Sequence, residues 1–297
     1  MKMNYLYEVP DYKKIRVIID TDAACEADDP FAIVQGLLSP KLTVKGIVAE
    51  HFVSEGSMER SLAEIKTILE LMDITDVPAL AGNEGPLKSG DEAETSEGVD
   101  FIIKEALADD PHPLYILCQG AITNVAAAFI RCPEIIDKVT VIWIGTHGGG
   151  NVEPPFREFN AGNDVIAANK VLKSGTNLWL VPSDVYITIN IGLAEIQRRI
   201  MPCGKIGKHL FDNMDTYNRS EEAGWTKGES WSLGDSPAIA LALNPDCGKY
   251  KIEPAPEVLE DTTSRENPEN PMIRIYKSVD SRYILEDLIA KLELTYL

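Results

Sequence analysis

The sequence predicts an α/β fold with an open, mostly parallel sheet and helices on both faces. Strand-like and helix-like runs alternate along the 297 residues, as in sheets whose strands are joined by helices. The first strand-like run consists almost entirely of β-branched apolar residues, which is typical of a strand buried on both faces. Hydrophobic residues make up 44% of the chain, enough for a continuous core. Since no repeat or long low-complexity linker interrupts the pattern, we predict an N-terminal tail over 1–14 and a single domain over 15–297.

The runs are assigned by their periodicity and by the turn residues that bound them. The predicted strands are 16–20, 43–49, 114–118, 139–145, 177–181 and 273–277. The predicted helices are 30–38, 57–72, 96–108, 122–131, 164–174, 205–218, 237–243 and 281–294. Residues 84–97, 220–234 and 254–271 are polar or rich in glycine and proline, and we predict them as surface loops, the second one mobile.

Composition excludes several classes of protein. The formal net charge of −19 argues against binding to nucleic acid, which requires basic patches, and against an anionic membrane surface. No apolar run approaches the roughly 20 residues of a membrane span, and the first residues lack the apolar core of a signal peptide. Five cysteines without CxxC spacing favour reduced thiols. We therefore predict a cytoplasmic protein with a small-molecule ligand.

The first candidate site follows the first strand, in the stretch VIIDTDAACEADD at 17–29. Asp20 and Asp22 are two residues apart, so on an extended chain they point the same way. Glu26, Asp28 and Asp29 follow within a few residues. This many carboxylates repel one another unless a cation is present, and oxygen ligands suit Ca²⁺ or Mg²⁺. The cluster predicts a metal site beyond the carboxyl ends of the strands.

A simpler explanation covers one member of this cluster. Asp29 precedes Pro30 at the start of a helical pattern, and aspartate before proline is a common helix start. Capping does not account for the other four carboxylates, so the sequence favours a functional site.

Three further segments lie where a predicted strand ends or a predicted helix begins. In 117–124 (LCQGAITN), Gly120 and Ala121 allow the backbone to approach a ligand closely, although an ordinary turn is an equally simple interpretation. In 148–163 (GGGNVEPPFREFNAGN), amides and a carboxylate suit the hydroxyls of a sugar; the alternative is a polar loop with a helix cap at Asn163 or Asp164. In 231–238 (WSLGDSPA), Asp235 is equally well explained as a helix cap. Trp225 and Trp231 could be core residues, but exposed aromatic residues on this loop would suggest a flat ring as partner.

Taken together, these motifs resemble the inosine/uridine-preferring nucleoside hydrolase family. The resemblance consists of DTD…DDPFAI, GAITN, GGGNV…EFN and GDSPAIAL in that order, and it covers roughly residues 15–294. The extra residues and the glutamate between DTD and DD resemble a divergent branch of that family. The resemblance implies a Rossmann-like core and Ca²⁺-dependent hydrolysis of the N-glycosidic bond of a ribonucleoside or related N-riboside. It also implies a homo-oligomer, a dimer or tetramer.

The resemblance assigns roles to individual residues. The implied Ca²⁺ ligands are the carboxylates of Asp22, Asp29 and Asp235 and the backbone carbonyl of Gln119. Asp22 is also the implied base that deprotonates the attacking water, with Asp20 as its support. The implied ribose-binding residues are Asp28, Asn151, Glu158 and Asn160. Carboxylates and amide oxygens around the sugar stabilise the positive charge of an oxocarbenium-like transition state.

The chain departs from the family pattern at the leaving-group side. Many members have a histidine that protonates the departing base where this chain has Gly234, and AEHF at 49–52 replaces a family asparagine. General-acid help is typically worth ~10²–10⁴ in rate. The loss therefore implies either a substitute residue or a different base preference, a non-nucleoside riboside substrate or weak activity. The candidates for a substitute are Glu50, His51, His147, Trp231 and Tyr217.

Two other functions are compatible with parts of the sequence. A non-catalytic sugar- or nucleoside-binding protein could retain the metal pocket, and Gly234 favours this alternative. A phosphatase of the haloacid-dehalogenase type could use Asp20-Thr21-Asp22, but Ala24 and the order of the later motifs fit that family poorly.

Overall fold

The computed structural model of the protein describes residues 4–52, 54–148 and 156–297. The strands are β1 (Ile15–Thr21), β2 (Leu42–Ala49), β3 (Ala79–Ala81), β4 (Leu114–Cys118), β5 (Val139–Ile144), β6 (Asn177–Val181), β7 (Asn190–Gly192), β8 (Ser230–Ser232), β9 (Gly248–Pro254), β10 (Glu257–Val258), β11 (Ser264–Arg265) and β12 (Met272–Val279). The helices are α1 (Asp29–Leu37), α2 (Ser57–Leu71), α3 (Glu97–Ala106), α4 (Thr123–Arg131), α5 (Phe159–Asn163), α6 (Val165–Leu172), α7 (Ser183–Tyr186), α8 (Leu193–Glu195), α9 (Gly204–Asn218), α10 (Ser236–Leu243) and α11 (Ser281–Tyr296).

Eight strands form one sheet in the order β3-β2-β1-β4-β5-β6-β12-β9. All neighbours in this sheet are parallel except β9, which runs antiparallel to β12 at the edge. The prediction of an open, mostly parallel sheet is therefore confirmed. From β1 the chain builds outward to β2 and β3, and then returns to β4 on the other side of β1. In such sheets, ligands bind at this reversal of strand order.

The sheet has a hydrophobic core on each face. Successive side chains of a strand point to opposite faces, so Val17 and Ile19 belong to one core and Ile18 to the other. Helices α1, α10 and α11 pack on the first face, and α3, α4 and α6 contribute to the second. This burial on both sides explains the apolar run from Val17 to Ile19 within β1.

The six predicted strands and eight predicted helices are present, with shifted ends. For example, the helix predicted from 96 begins one residue later, because Ser96 is its N-cap and accepts a hydrogen bond from the Val99 amide. Strands β3 and β9 were not predicted. β3 has only three residues, and β9 (GKYKIEP) is a largely exposed edge strand with alternating lysines. Among the described residues, no helix is both long and apolar enough to cross a bilayer.

Two predicted loops contain regular structure. In the 220–234 segment, β8 pairs with β7, and Trp231 lies opposite Ile191. Trp231 is only 2% exposed, so the prediction of an exposed aromatic residue there is wrong. Only Trp231 of the three-residue strand β8 is buried, and the glycine-rich, acidic composition of the segment does not indicate this strand. In the 254–271 segment, β10 and β11 form a small antiparallel ribbon.

Candidate active site

A pocket lies where β1 and β4 end, at the point where the strand order reverses. It is bounded by Asp22, which directly follows β1, and by Gln119, which directly follows β4. The lining residues are Asp22, Cys25, Glu26, Asp28, Asp29, Gln119, Ile144, Phe159, Asn160, Tyr186, Gly234 and Asp235. The structure thus brings together predicted site residues from four separate segments of the chain.

The ends of β1 and β4 are held closely together. The Gln119 amide donates to the Asp20 carbonyl at 2.8 Å, and the Asn124 side-chain amide donates to Asp20 Oδ1 at 2.9 Å. A Cβ atom on Gly120 would lie 2.9 Å from Asp22 Cγ, closer than side-chain atoms normally approach. Glycine at 120 therefore makes room for the Asp22 carboxylate, so this turn is more than an ordinary connection.

Asp28, Asp29 and Asp235 meet at the starts of two helices. One carboxylate oxygen from each lies within 4.8 Å of the others. Asp28 and Asp235 occupy the N-cap positions of α1 and α10, but neither side chain makes a capping hydrogen bond. Asp28 Oδ2 instead accepts from the Gly234 amide at 2.8 Å, and Asp29 accepts from the Thr21 hydroxyl. Helix capping therefore does not explain these aspartates.

Burial and mutual repulsion make this pocket unfavourable for negative charge. Burial, followed by the charge of Asp29, raises the pKa of Asp22 well above its usual range. Burial and Asp28 do the same to Asp235. The pKa of Asp28 rises to about 6 and that of Asp29 to about 7, again mainly through burial. Among the described residues, the lining contains no lysine, arginine or histidine that would offset this charge.

The residues present fit a metal cation. Asp22 Oδ2 is buried without a hydrogen-bond partner, and so are both side-chain amide atoms of Gln119. The oxygens among these atoms, together with the three grouped carboxylates, are the ligand type that hard cations such as Ca²⁺ and Mg²⁺ take. A divalent cation would relieve the repulsion that raises the carboxylate pKa values.

Not all of the predicted sugar-binding residues that the structure describes line the pocket. Asn160 lines the pocket, and its side-chain amide donates to the Ile144 carbonyl at 2.8 Å. Glu158 is fully buried behind it, and its carboxylate accepts hydrogen bonds from four groups: the amides of Thr146, Asn160 and Ala161 and the Tyr186 hydroxyl. Asn151 lies outside the described residues.

The predicted substitutes for a leaving-group acid do not line the pocket. His51 Nε2 pairs with the Thr123 hydroxyl at 2.8 Å, and burial lowers the pKa of His51 to about 4. His147 is held by Ser183 Oγ at 2.7 Å and by the Phe156 carbonyl at 2.9 Å. Both histidines are thus buried with structural partners.

Trp231, another of these candidates, makes edge contacts with the rings of Tyr217 and Trp225. Of this aromatic group, Trp225 is the half-exposed member.

Four residues of the pocket carried no signal in the sequence. Cys25 and Phe159 lie within recognised motifs and Ile144 lies near one, but side chains of these types are equally common in cores. Tyr186 is the last residue of α7, the short helix after β6, and no recognised motif includes it. Its ring lies 3.3 Å from where a Cβ atom on Gly234 would be, so this tyrosine fills part of the space that the missing side chain leaves open.

Comparison with known proteins agrees with this geometry. Residues 17–285 match the family model described as inosine-uridine preferring nucleoside hydrolase. The chain is 28% identical over 256 residues to the pyrimidine-specific ribonucleoside hydrolase RihA of Escherichia coli, covering 77% of this chain and 80% of that protein. RihA of Salmonella arizonae is 29% identical over 236 residues, covering 71% and 74%.

A solved structure shares the fold. The purine-preferring ribonucleoside hydrolase from Gardnerella vaginalis superposes with a TM-score of 0.80 at 23% identity, covering 94% of this chain and 98% of that one. The phosphatase alternative has no support in these matches. The predictions of family and of an N-glycosidic hydrolase are confirmed. The chain belongs to the inosine-uridine preferring nucleoside hydrolase family.

Proposed function

We propose that the protein hydrolyses the N-glycosidic bond of a ribonucleoside or related N-riboside with the help of Ca²⁺, giving ribose and the free base. One observation carries the proposal. The carboxylates of Asp22 and Asp235, which lie far apart in the sequence, line one pocket together with Asn160. Acidic side chains crowded around a hydroxyl-binding amide suit a reaction in which positive charge develops on a sugar.

The proposed cation ligands are the carboxylates of Asp22, Asp29 and Asp235 and the backbone carbonyl of Gln119. The partnerless Asp22 Oδ2 and the close grouping of the other two aspartates support this set. When bound, a divalent cation lowers the pKa of a coordinated water and holds sugar hydroxyls in place. Ca²⁺ is proposed because the family resemblance implies it, and a donor set made only of oxygens suits it.

The roles of the protein side chains follow from their positions. Asp22 accepts the proton of the attacking water, since it lines the pocket and has a free oxygen. Asp28 and Asn160, with Asn151, bind the ribose hydroxyls. For Glu158 we propose a supporting role, because both of its oxygens already accept hydrogen bonds. It then fixes Asn160 in place.

The aromatic group of Tyr217, Trp225 and Trp231 supports a planar leaving group. Burial, and after it the charge of Glu26, raise the pKa of Tyr217. Because Glu26 lines the pocket, this effect supports a position of the aromatic group near the pocket. Trp225 offers the exposed ring of this group, and planar bases stack on such rings. We therefore propose that Trp225, rather than the buried Trp231, contacts the base.

The test is hydrolysis of p-nitrophenyl riboside and of a panel of nucleosides, with and without a chelator. We expect turnover that the chelator abolishes, that Ca²⁺ restores and that Asp22→Asn lowers by at least ~10²-fold. Stabilisation by ribose without any turnover would instead support the alternative of a non-catalytic binding protein. Turnover that survives metal removal would contradict the role of Ca²⁺.

We also propose a cytoplasmic homo-oligomer, a dimer or tetramer. All five cysteines are free thiols, which supports a reducing compartment. The mass in solution, measured by analytical ultracentrifugation, tests the oligomeric state, and a monomer would contradict it.

A further inference from the structure

Glu26 is a pocket residue that the family motifs leave without a role. Its carboxylate lines the pocket beside Asp22, Asp28, Asp29 and Asp235. Within the described part of the chain, its side chain has no hydrogen-bond or ion-pair partner. Glu26 is partly buried, and a carboxylate held in a pocket without a partner is stabilised when a ligand compensates its charge. The structure therefore calls for a positively charged or hydrogen-donating group opposite Glu26.

The charge of the pocket exceeds what one divalent cation offsets. Five carboxylates line it, and two positive charges leave up to three negative charges uncompensated. The buried Asp22 Oδ2, which also lacks a partner, belongs to the same set. Since the described lining has no basic side chain, the remaining charge is relieved either by protons on the carboxylates or by a positive charge on the substrate.

Within the described lining, two groups that could donate a hydrogen bond to a departing base are already engaged. The Gly234 amide is already bonded to Asp28, and the Tyr186 hydroxyl is already bonded to Glu158. No histidine lines the described pocket. A neutral base leaves with excess electron density and needs a proton, whereas a cationic base becomes neutral when it leaves and needs none.

We propose, resting on the proposed function, that this pocket is adapted to N-ribosides whose base carries a positive charge, and that Glu26 recognises that charge. In the reaction, the C1′–N bond breaks and its electron pair neutralises the ring nitrogen. Water oxygen bonds to C1′, and its proton passes to Asp22 and then to solvent. One cationic riboside and one water give ribose, a neutral base and one proton.

The experiment compares two nucleosides that differ by one methyl group and one charge. Guanosine is neutral, and 7-methylguanosine is cationic at its base. Both are assayed with the Ca²⁺-loaded full chain, and rates are expressed relative to the uncatalysed hydrolysis of each nucleoside. A pyridinium riboside serves as a second cationic substrate, and p-nitrophenyl riboside as one whose leaving group needs no proton. Glu26→Gln is compared with Glu70→Gln, which removes an exposed charge from α2.

The expected result is a preference of at least ~10²-fold in kcat/KM for 7-methylguanosine over guanosine, because a base that needs no acid avoids the loss of general-acid help. Glu26→Gln is expected to reduce this preference about tenfold, and Glu70→Gln to leave it unchanged. The pyridinium riboside should follow 7-methylguanosine. Since Glu26→Gln removes an uncompensated charge, its melting temperature should equal or exceed that of the wild type.

Three outcomes would overturn the inference. Equal efficiency on both nucleosides would show that the base charge is not recognised. A Glu26→Gln effect that is larger on guanosine would show that Glu26 donates a proton instead. An equal loss on both would indicate only a structural or hydrogen-bonding role. If p-nitrophenyl riboside also resists hydrolysis, the proposed function itself fails, and this separates the two failures.

Discussion

Replacing Gly120 by alanine tests whether the turn after β4 exists to accommodate Asp22. The added Cβ would lie 2.9 Å from Asp22 Cγ and 3.0 Å from its Oδ1. Contacts shorter than 3.0 Å essentially never occur between real Cβ atoms and their neighbours. Asp22 or the turn must therefore move. The backbone at 120 is not in the left-handed region, so alanine causes no strain in the main chain.

The size of the effect follows from this distance. Ordinary contact begins near 3.4 Å, so the carboxylate must retreat by roughly 0.5 Å or rotate away. Displacements approaching 1 Å at a reacting group cost about 10²-fold in rate. We expect kcat/KM to fall by ~10–10²-fold and the affinity for Ca²⁺ to weaken. Crowding of this kind typically lowers the free energy of unfolding by ~1–3 kcal/mol, which leaves a folded protein.

The assay measures kcat/KM for p-nitrophenyl riboside at saturating Ca²⁺ and the Kd for Ca²⁺ by calorimetry. Gly85→Ala is the matched control, because no atom lies within 4 Å of its added Cβ. If Gly120→Ala keeps both the rate and the Ca²⁺ affinity of the wild type, then Asp22 is neither the base nor a ligand at the position that the structure gives it.

Three further changes have definite expected outcomes. Asp235→Asn should raise the melting temperature in the presence of a chelator, because it relieves repulsion in a buried acidic group, but should lower it relative to wild type once Ca²⁺ is added. Thr262→Val should cost ~1–3 kcal/mol of unfolding free energy, since the Glu158 amide then loses its acceptor at 2.7 Å. His209→Gln should destabilise the protein by less than ~1 kcal/mol, and only at low pH. The hydrogen bond to Glu64 raises the pKa of His209 above 6.5, so its contribution is complete below pH 6.5 and disappears as pH rises through the folded-state pKa.

Each change has its own control. Chemical denaturation with and without Ca²⁺ follows Asp235→Asn, and the same order of stability in both conditions would contradict a role in metal binding. Thr262→Ser keeps the hydroxyl and should retain most of the stability that Thr262→Val loses. For His209, the difference in stability from wild type is measured between pH 5 and 9. A difference that grows with pH would refute the assigned ion pair.

The sequence was informative wherever function requires several unusual residues close together. The aspartates at 20, 22, 28 and 29 and the GDSP segment could be placed at one sheet edge, because parallel strands present their carboxyl ends on the same side. Tyr186 and Phe159 could not be found in this way. Their contacts depend on how distant elements pack, and aromatic residues after a strand carry no chemical signature.

Errors arose where composition was used in place of packing. Trp231 is surrounded in sequence by glycine, serine and acidic residues, yet a three-residue strand buries it. The two histidines near the motifs were natural candidates for catalysis, but each is fixed by a buried hydroxyl partner. Local sequence does not show such partners, because Thr123 and Ser183 lie far from His51 and His147 in the chain.

The wide separation of the pocket residues along the chain has a consequence for synthesis. Residues 22–29 leave the ribosome early, but Gly234 and Asp235 follow only after about four-fifths of the chain has been made. During that interval the nascent polypeptide contains the acidic segment 22–29 without the residues at 234–235 that complete the pocket lining. The proposed cation site is complete only after α10 has been made, so we expect the cation to bind late in synthesis.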